Sequence, residues 1–257
     1  MSMKRFLAAT DGAPDGENAV TVACTLAQRT SGHFTRLELE TVSRDWQPGL
    51  EWWKDPTTRG GTATKVLGLP GVEIVRHAES WGADLVVLGR HNHTREHPLQ
   101  LGPTSDMVLR RHGGLTLFVP SRTTISRALI ALDGSPRGLD LLGPASAVLD
   151  LAGARAYAVC VLPGSQPAAD DPAAWEDPRI ERARALVDRL HLAKGPCDFL
   201  VRWGDPVSGI LDMIQTTQAD LLVLGVRRGG APGDLGSGHV GRDLLQAAPC
   251  AVLTVPI

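Results

Sequence analysis

Cysteine is scarce in this sequence: four in 257 residues, with no Cys-x-x-Cys pair, so neither a zinc site nor a dithiol redox motif has the spacing it needs. Cys24, Cys160, Cys197 and Cys250 stand singly in strand or helix patterns and are expected to act as small core hydrophobes. No sign of charge dominates. The 26 basic and 28 acidic residues leave a net charge of −2, which supplies no attraction for nucleic acid or an anionic membrane. No apolar run approaches the roughly 20 residues that span a bilayer. Residues 1–11 enter a strand pattern without the hydrophobic region of a signal peptide, so a cytoplasmic location is expected, with neither nucleic acid nor membrane as partner. The catalytic signatures Gly-x-Ser-x-Gly, His-Glu-x-x-His and Gly-x-x-x-x-Gly-Lys-Ser/Thr are missing too. With 43% apolar and 21% charged residues, the composition is that of ordinary folded cores.

What the sequence does have is a repeat. Ala83-Asp84-Leu85-Val86-Val87-Leu88-Gly89 is spelled again as Ala219-Asp220-Leu221-Leu222-Val223-Leu224-Gly225, an offset of 136 residues. The same offset superposes Gly68 on Gly204, Pro70 on Pro206, Gly102 on Gly238 and Pro120 on Pro256. A second offset of 122 aligns Arg5–Gly12 with Arg127–Gly134, so the first copy is 14 residues shorter in its middle. The division falls at residues 1–122 and 123–257, two copies of roughly 125 residues, each an ordinary domain size.

Short apolar runs alternate with longer amphipathic stretches, as expected for strands joined by crossover helices in a parallel sheet. In the second copy the pattern predicts strands over Arg127–Leu132, Ala154–Val161, Asp198–Trp203, Asp220–Leu224 and Ala251–Val255. Helices are expected over Pro136–Leu151, over Asp177–Leu192, from Pro206 with Asp205 as its cap, and from about Val240 to Ala247. Runs such as Leu221–Leu224 carry no polar alternation, so helices should cover both faces of the sheet.

These residues resemble the universal stress protein family in its tandem form, with two such domains on one chain. The resemblance covers essentially the whole sequence. It is carried by Asp11-Gly12 and Asp133-Gly134-Ser135, the turns Gly68-Leu69-Pro70 and Gly204-Asp205-Pro206, the repeated Ala-Asp-Leu strands, and the closing Ala248–Pro256. It implies two open, twisted, five-stranded parallel α/β sheets of Rossmann-like type with helices on both faces, packed as an internal pseudo-dimer. The terminal strands Leu115–Val119 and Ala251–Val255 would pair across the pseudo-twofold axis; whether two chains then form a homodimer is left open.

ATP-binding relatives share a loop of Gly, two residues, Gly, nine residues, Gly, then Ser or Thr, whose glycines and following helix N-terminus cradle phosphate. Here Gly89 to Gly102 and Gly225 to Gly238 keep the outer 13-residue spacing. The middle glycine is replaced by Asn92 and Arg228, and the final hydroxyl position holds Pro103 and His239. Pro103 lacks a backbone N–H, which favours the second loop as the anion site. The resemblance implies Asp133, Gly134, Gly225, Arg228, Gly229, Gly236, Ser237, Gly238 and His239 as its binding residues, with Asp11, Gly89, Gly102 and Thr104 as the weaker set in the first copy. Asp133 is expected to combine turn capping with ligand contact, and Asp11 to cap alone. The ligand class is ATP, ADP, AMP or another small anion, held without essential catalysis; slow ATP hydrolysis finds no nominated base or magnesium ligand. The alternative is a structural, partner-binding protein in which both loops have decayed.

Two further clusters stand out in the first copy. His91, His93 and His97 share a loop but lack a carboxylate or cysteine in metal-binding spacing, so no metal site is expected. Trp46, Trp52 and Trp53, in the shortened middle of the first copy, are read as covering core or the surface between copies, with a ligand or partner groove as the alternative.

Overall fold

The apolar runs become strands, and five of the helices open on a proline: Pro14, Pro70, Pro103, Pro178 and Pro206. The structure, a computed structural model, describes residues 3–40, 61–90, 102–120, 122–166, 176–226 and 240–257. The chain divides into two compact units, residues 2–123 and 124–257.

The first unit contains β1 (Arg5–Thr10), α1 (Pro14–Thr30), β2 (His33–Glu40), β3 (Gly61–Leu67), α2 (Pro70–Trp81), β4 (Leu85–Gly89), α3 (Pro103–Arg111) and β5 (Leu115–Val119). Its five strands run parallel in the order β3-β2-β1-β4-β5. The second unit repeats that order as β8-β7-β6-β9-β10, also parallel. Its elements are β6 (Arg127–Leu132), α4 (Gly138–Ala152), β7 (Arg155–Leu162), α5 (Pro178–Val187), β8 (Asp198–Trp203), α6 (Pro206–Thr217), β9 (Leu221–Val226), α7 (Val240–Ala247) and β10 (Ala251–Pro256). Central strands are buried on both faces: Phe6, Val86 and Val87 in one unit, Leu129, Ile130 and Val159 in the other, are all 0% exposed.

The expected elements of the second copy are all present, most with ends within one or two residues. The exception is the helix expected over Asp177–Leu192, which ends at Val187. There the N–H groups of Arg189 and Leu190 turn to the carbonyls of Leu186 and Val187, three residues back, and the α-pattern tightens out of existence. Helix starts follow the sequence signals: Asp205 accepts from Ser208 N at 2.8 Å, and Asp177 accepts from Arg179 N at 2.8 Å.

The Asp177 carboxylate also pairs with the Arg179 guanidinium at 2.7 Å. That pairing, with the backbone bond of the same residue, holds it near pKa 2 against an ordinary 3.8. A depressed carboxylate stabilises the fold above its ordinary pKa, and the contribution is lost as pH falls from 3.8 through about 2. Replacing Asp177 by alanine should cost the second unit about 1 kcal/mol in urea unfolding at neutral pH, a difference that shrinks as pH falls below 3.8.

The motif aspartates of the repeat pin the start of each unit's first strand. Asp84 Oδ2 accepts the N–H groups of Lys4 at 2.7 Å and Arg5 at 2.9 Å. Asp220 accepts those of Ser126 and Arg127, both at 2.9 Å, and the Ser126 hydroxyl at 2.6 Å. One further difference separates the copies. In the second, α5 packs on β7 and β8, over the buried Ala158 and Cys160. In the first, Arg36 and Glu38 occupy those positions, and no helix follows β2 among the described residues.

Cys160 and Cys250 are buried, and Cys24 and Cys197 half-buried, all as free thiols. Burial pushes the Cys160 thiol up to about 11 and the Cys197 thiol up to about 12. Cys197 and Cys250 sit just ahead of β8 and β10 rather than inside them.

Candidate functional site

In an open parallel sheet, ligands collect at the carboxyl ends of the strands, where the strand order reverses. In the first unit that reversal lies at β1 and β4, and a cavity of about 240 Å³ opens there. Ala9 and Thr10 at the end of β1, Asp11 in the turn after it, and Leu39 near the end of β2 form one wall. Leu88 and Gly89 close β4, Pro70 and Ile74 of α2 form the opposite side, and Gly102 to Ser105 bring in the start of α3. All four residues nominated for the first copy, Asp11, Gly89, Gly102 and Thr104, line this cavity.

Each is placed by local chemistry. Asp11 Oδ1 accepts the N–H of Ala13 at 3.1 Å, a turn bond that leaves the residue exposed at the rim. Beneath it Thr10, 3% exposed, donates its hydroxyl to Glu17 at 2.9 Å and accepts the Gly12 N–H at 3.0 Å. Glu17 is held in turn by two Arg36 nitrogens at 3.1 and 3.0 Å, and Arg36 Nε reaches Glu38 at 2.9 Å. The turn that presents Asp11 thus rests on a network of four side chains. Its counterparts in the second copy are Leu132, Leu139, Ala158 and Cys160, all without charge.

Gly89 has no room for a side chain. A Cβ there would lie 2.6 Å from the Asp15 carbonyl carbon and the Gly16 nitrogen, so the first turn of α1 sits directly on the end of β4. Gly102 is the residue before α3, and Pro103 is that helix's first residue. A helix leaves its first N–H groups without partners, so proline there loses little. The next two residues carry hydroxyls. Thr104 is half-buried and Ser105 is 7% exposed, and neither hydroxyl has a hydrogen-bond partner among the described residues. Ser105 and Thr10 were not among the residues nominated from sequence. The signal for Ser105 was the Thr-Ser pair directly after Gly102-Pro103, one step beyond the family's hydroxyl position.

In the second unit only Asp133, Gly134 and Gly225 of the nominated set fall within the described residues; Arg228, Gly229, Gly236, Ser237, Gly238 and His239 lie outside them. Asp133 is exposed and accepts the Ser135 N–H at 2.9 Å, the same turn bond as Asp11. A Cβ on Gly134 would lie 2.5 Å from Arg179 Cβ and 2.6 Å from its carbonyl oxygen, and Arg182 Nε donates to the Gly134 carbonyl at 2.8 Å. The start of α5 therefore packs on this turn, whereas a Cβ on Gly12 would meet nothing within 4 Å. Where the first cavity has Thr10, Thr104 and Ser105, the second copy has Leu132, Val240 and Gly241.

The histidine loop and the three clustered tryptophans also lie outside the described residues. Among the described residues, no group of three His, Cys, Asp or Glu side chains is arranged to hold a metal, and no helix is long and apolar enough to cross a membrane.

Comparison with known proteins bears on the whole architecture. No curated protein sequence matches the chain. Solved structures do, along its full length. A protein of unknown function from Pseudomonas aeruginosa PAO1 superposes with a TM-score of 0.73 at 17% identity, covering 99% of this chain and 93% of its own. A universal stress protein from Archaeoglobus fulgidus DSM 4304 gives 0.72 at 15% identity over 100% and 99%. A putative universal stress protein from Pseudomonas aeruginosa UCBPP-PA14 gives 0.71 at 16% identity over 99% and 94%. At these identities the likeness shows the fold, and it is the two-unit fold read from the repeat. The sequence model of the universal stress protein family matches residues 54–112 and again 124–256, one match in each copy. With two matched segments and the repeated strand order in each unit, the chain belongs to the universal stress protein family.

Proposed function

We propose that this chain is a cytoplasmic stress-response protein whose first unit binds an adenine nucleotide, as a binding and signalling module without turnover. The observation that carries the reading is the cavity at the carboxyl ends of β1 and β4. It gathers Asp11, Gly89, Gly102 and Thr104, residues 11 to 104, around one opening. Ala9, Leu39, Ile74 and Leu88 supply apolar walls suited to a flat base, Asp11 an acceptor for amine or ribose hydroxyls, and the start of α3 donors for an anion. Its volume of about 240 Å³ lies just under the roughly 300–1,000 Å³ usual for drug-sized ligands, consistent with a small nucleotide.

Chemistry on a bound phosphate would need a base, an acid or a metal ligand set. Among the described residues that line the cavity, Asp11 is the one titratable side chain, and it already accepts a turn bond. This favours binding over hydrolysis. The second unit, which has Leu132, Val240 and Gly241 where the first has Thr10, Thr104 and Ser105, is assigned a structural part. Pairing of the two copies as an internal pseudo-dimer is retained in this proposal, with cross-linking of cysteines placed on the terminal strands as its check.

The test is mass spectrometry of small molecules released by denaturing the freshly purified protein, alongside the Gly102→Asp variant. Aspartate is a good residue before a helix, so α3 should persist while the new carboxylate competes for its N–H groups. AMP, ADP or ATP is expected from the parent and not from the variant. An empty parent whose melting temperature ignores all three nucleotides would leave the partner-binding reading in its place.

A further inference from the structure

We propose that the first unit carries a second binding site, at the amino end of its strands, for a small aromatic carboxylate. A cavity of about 380 Å³ opens there, at the opposite end of the sheet from the one described above. It is lined by Arg5 and His33, the first residues of β1 and β2, by Phe34 and Thr62, and by Ser80 and Trp81 at the end of α2. Phe34 is 4% exposed and Trp81 half-buried, and their rings give the cavity aromatic walls. One guanidinium nitrogen of Arg5 donates to the Trp81 carbonyl at 2.9 Å, which ties the side chain to the end of α2. The rest of that fork takes no carboxylate among the described residues, and the His33 ring takes no partner among them. Asp84, the acid at this strand start, is committed through Oδ2 to the backbone N–H groups of Lys4 and Arg5.

The second copy shows what the first leaves open. By strand register and repeat, Arg127, Arg155, Asp198 and Thr217 stand where the first copy has Arg5, His33, Thr62 and Trp81. There the basic groups are answered within the chain. Arg155 pairs with Asp198 at 2.9 Å and lies 5.3 Å from the centre of the Tyr157 ring, and Arg127 donates to Gln218 Oε1 at 2.6 Å. In the first copy Thr62 replaces that carboxylate and Gly82 that amide, while Trp81 brings an aromatic ring where Thr217 has none. A guanidinium meets a carboxylate through two parallel N–H bonds, and either tautomer of His33 adds a donor. A ligand carboxylate therefore supplies the group that Asp198 supplies in the second copy, and Trp81 and Phe34 favour a flat ring beside it. The volume of about 380 Å³ lies within the roughly 300–1,000 Å³ of small-molecule sites.

Equilibrium dialysis of benzoate, benzamide and acetate against the full chain tests this. Benzoate should bind at least about tenfold more tightly than benzamide, which has the ring without the charge, the effect of about one charge-assisted hydrogen bond. It should also bind more tightly than acetate, which has the charge without the ring. Arg5→Gln should reduce benzoate to the level of benzamide. Thr62→Asp, which places the second copy's carboxylate at an exposed strand position, should do the same by answering the basic groups from within the chain. Benzamide affinity should stay at the parent value in both variants, which reports an intact cavity. Benzoate that binds the parent no better than benzamide, or that binds both variants as it binds the parent, would overturn the site. Acetate binding as tightly as benzoate would overturn its assignment to an aromatic ligand.

Discussion

Replacing Gly89 by alanine should destabilise the first unit by about 3 kcal/mol, the upper end of what overpacking a tight site costs. The reason is what the new methyl group meets. Its nearest neighbours, at 2.6 to 2.8 Å, are backbone atoms of Asp15 and Gly16, which cannot swing aside without moving the first turn of α1. The equivalent change at Gly225 makes the informative contrast. There the closest atoms are Ile257 Cδ1 at 2.7 Å and Leu141 Cδ1 at 3.2 Å, the far ends of flexible side chains. Gly225→Ala should therefore cost about 1 kcal/mol, within the range of a repacked core. Urea unfolding of the full chain, followed by probes in each unit, distinguishes the two. Equal costs would show that the approach of α1 to β4 is softer than the geometry says. The comparison also bears on function, since the segment that crowds Gly89 directly follows the turn presenting Asp11.

Asp220→Ala should cost the second unit about 3 kcal/mol. Its carboxylate satisfies the backbone N–H groups of Ser126 and Arg127 and the Ser126 hydroxyl, across 94 residues of sequence. Bonds to a charged acceptor contribute about 1.5–3 kcal/mol each and are not additive, so the sum falls well short of three full bonds. Asp84→Ala, which loses two such N–H partners rather than three groups, should cost the first unit less. Asparagine at either position keeps one acceptor oxygen and should recover about half of the loss. An Asp220→Ala protein with parent stability would mean that strand pairing alone holds the start of β6.

The contrast between those aspartates and the strands around them shows what the sequence could and could not convey. Val86, Val87, Leu222 and Val223 are legible as buried strand residues because a parallel sheet covered on both faces demands uninterrupted apolar side chains. Asp84 and Asp220 are legible only as a repeated motif. Their partners lie 79 to 94 residues away in sequence, and no local pattern announces a bond over that distance. Asp205 and Asp177, by contrast, act on residues two or three positions on, and the capping role of Asp205 is legible in advance.

The candidate site was legible in its parts. Glycine spacing marks both loops, and Asp11, Gly89, Gly102 and Thr104 are nominated from it; the structure places these four around one cavity. Sequence reasoning ranks the second loop higher because Pro103 lacks an N–H. In the helix that loss falls at the first position, where an N–H has no helical partner, and Thr104 and Ser105 follow it. Nor does the sequence reveal that Thr10, Glu17, Arg36 and Glu38 form one network, since the pairing of β1 with β2 is what brings Arg36 beside α1.

Calorimetric titration of the full chain with AMP, repeated on Gly102→Asp and on Gly238→Asp, decides whether the first unit holds the nucleotide. The prediction is one site per chain, abolished by Gly102→Asp and unchanged by Gly238→Asp. Two equivalent sites, a site lost only in Gly238→Asp, or no binding in the parent protein would contradict it.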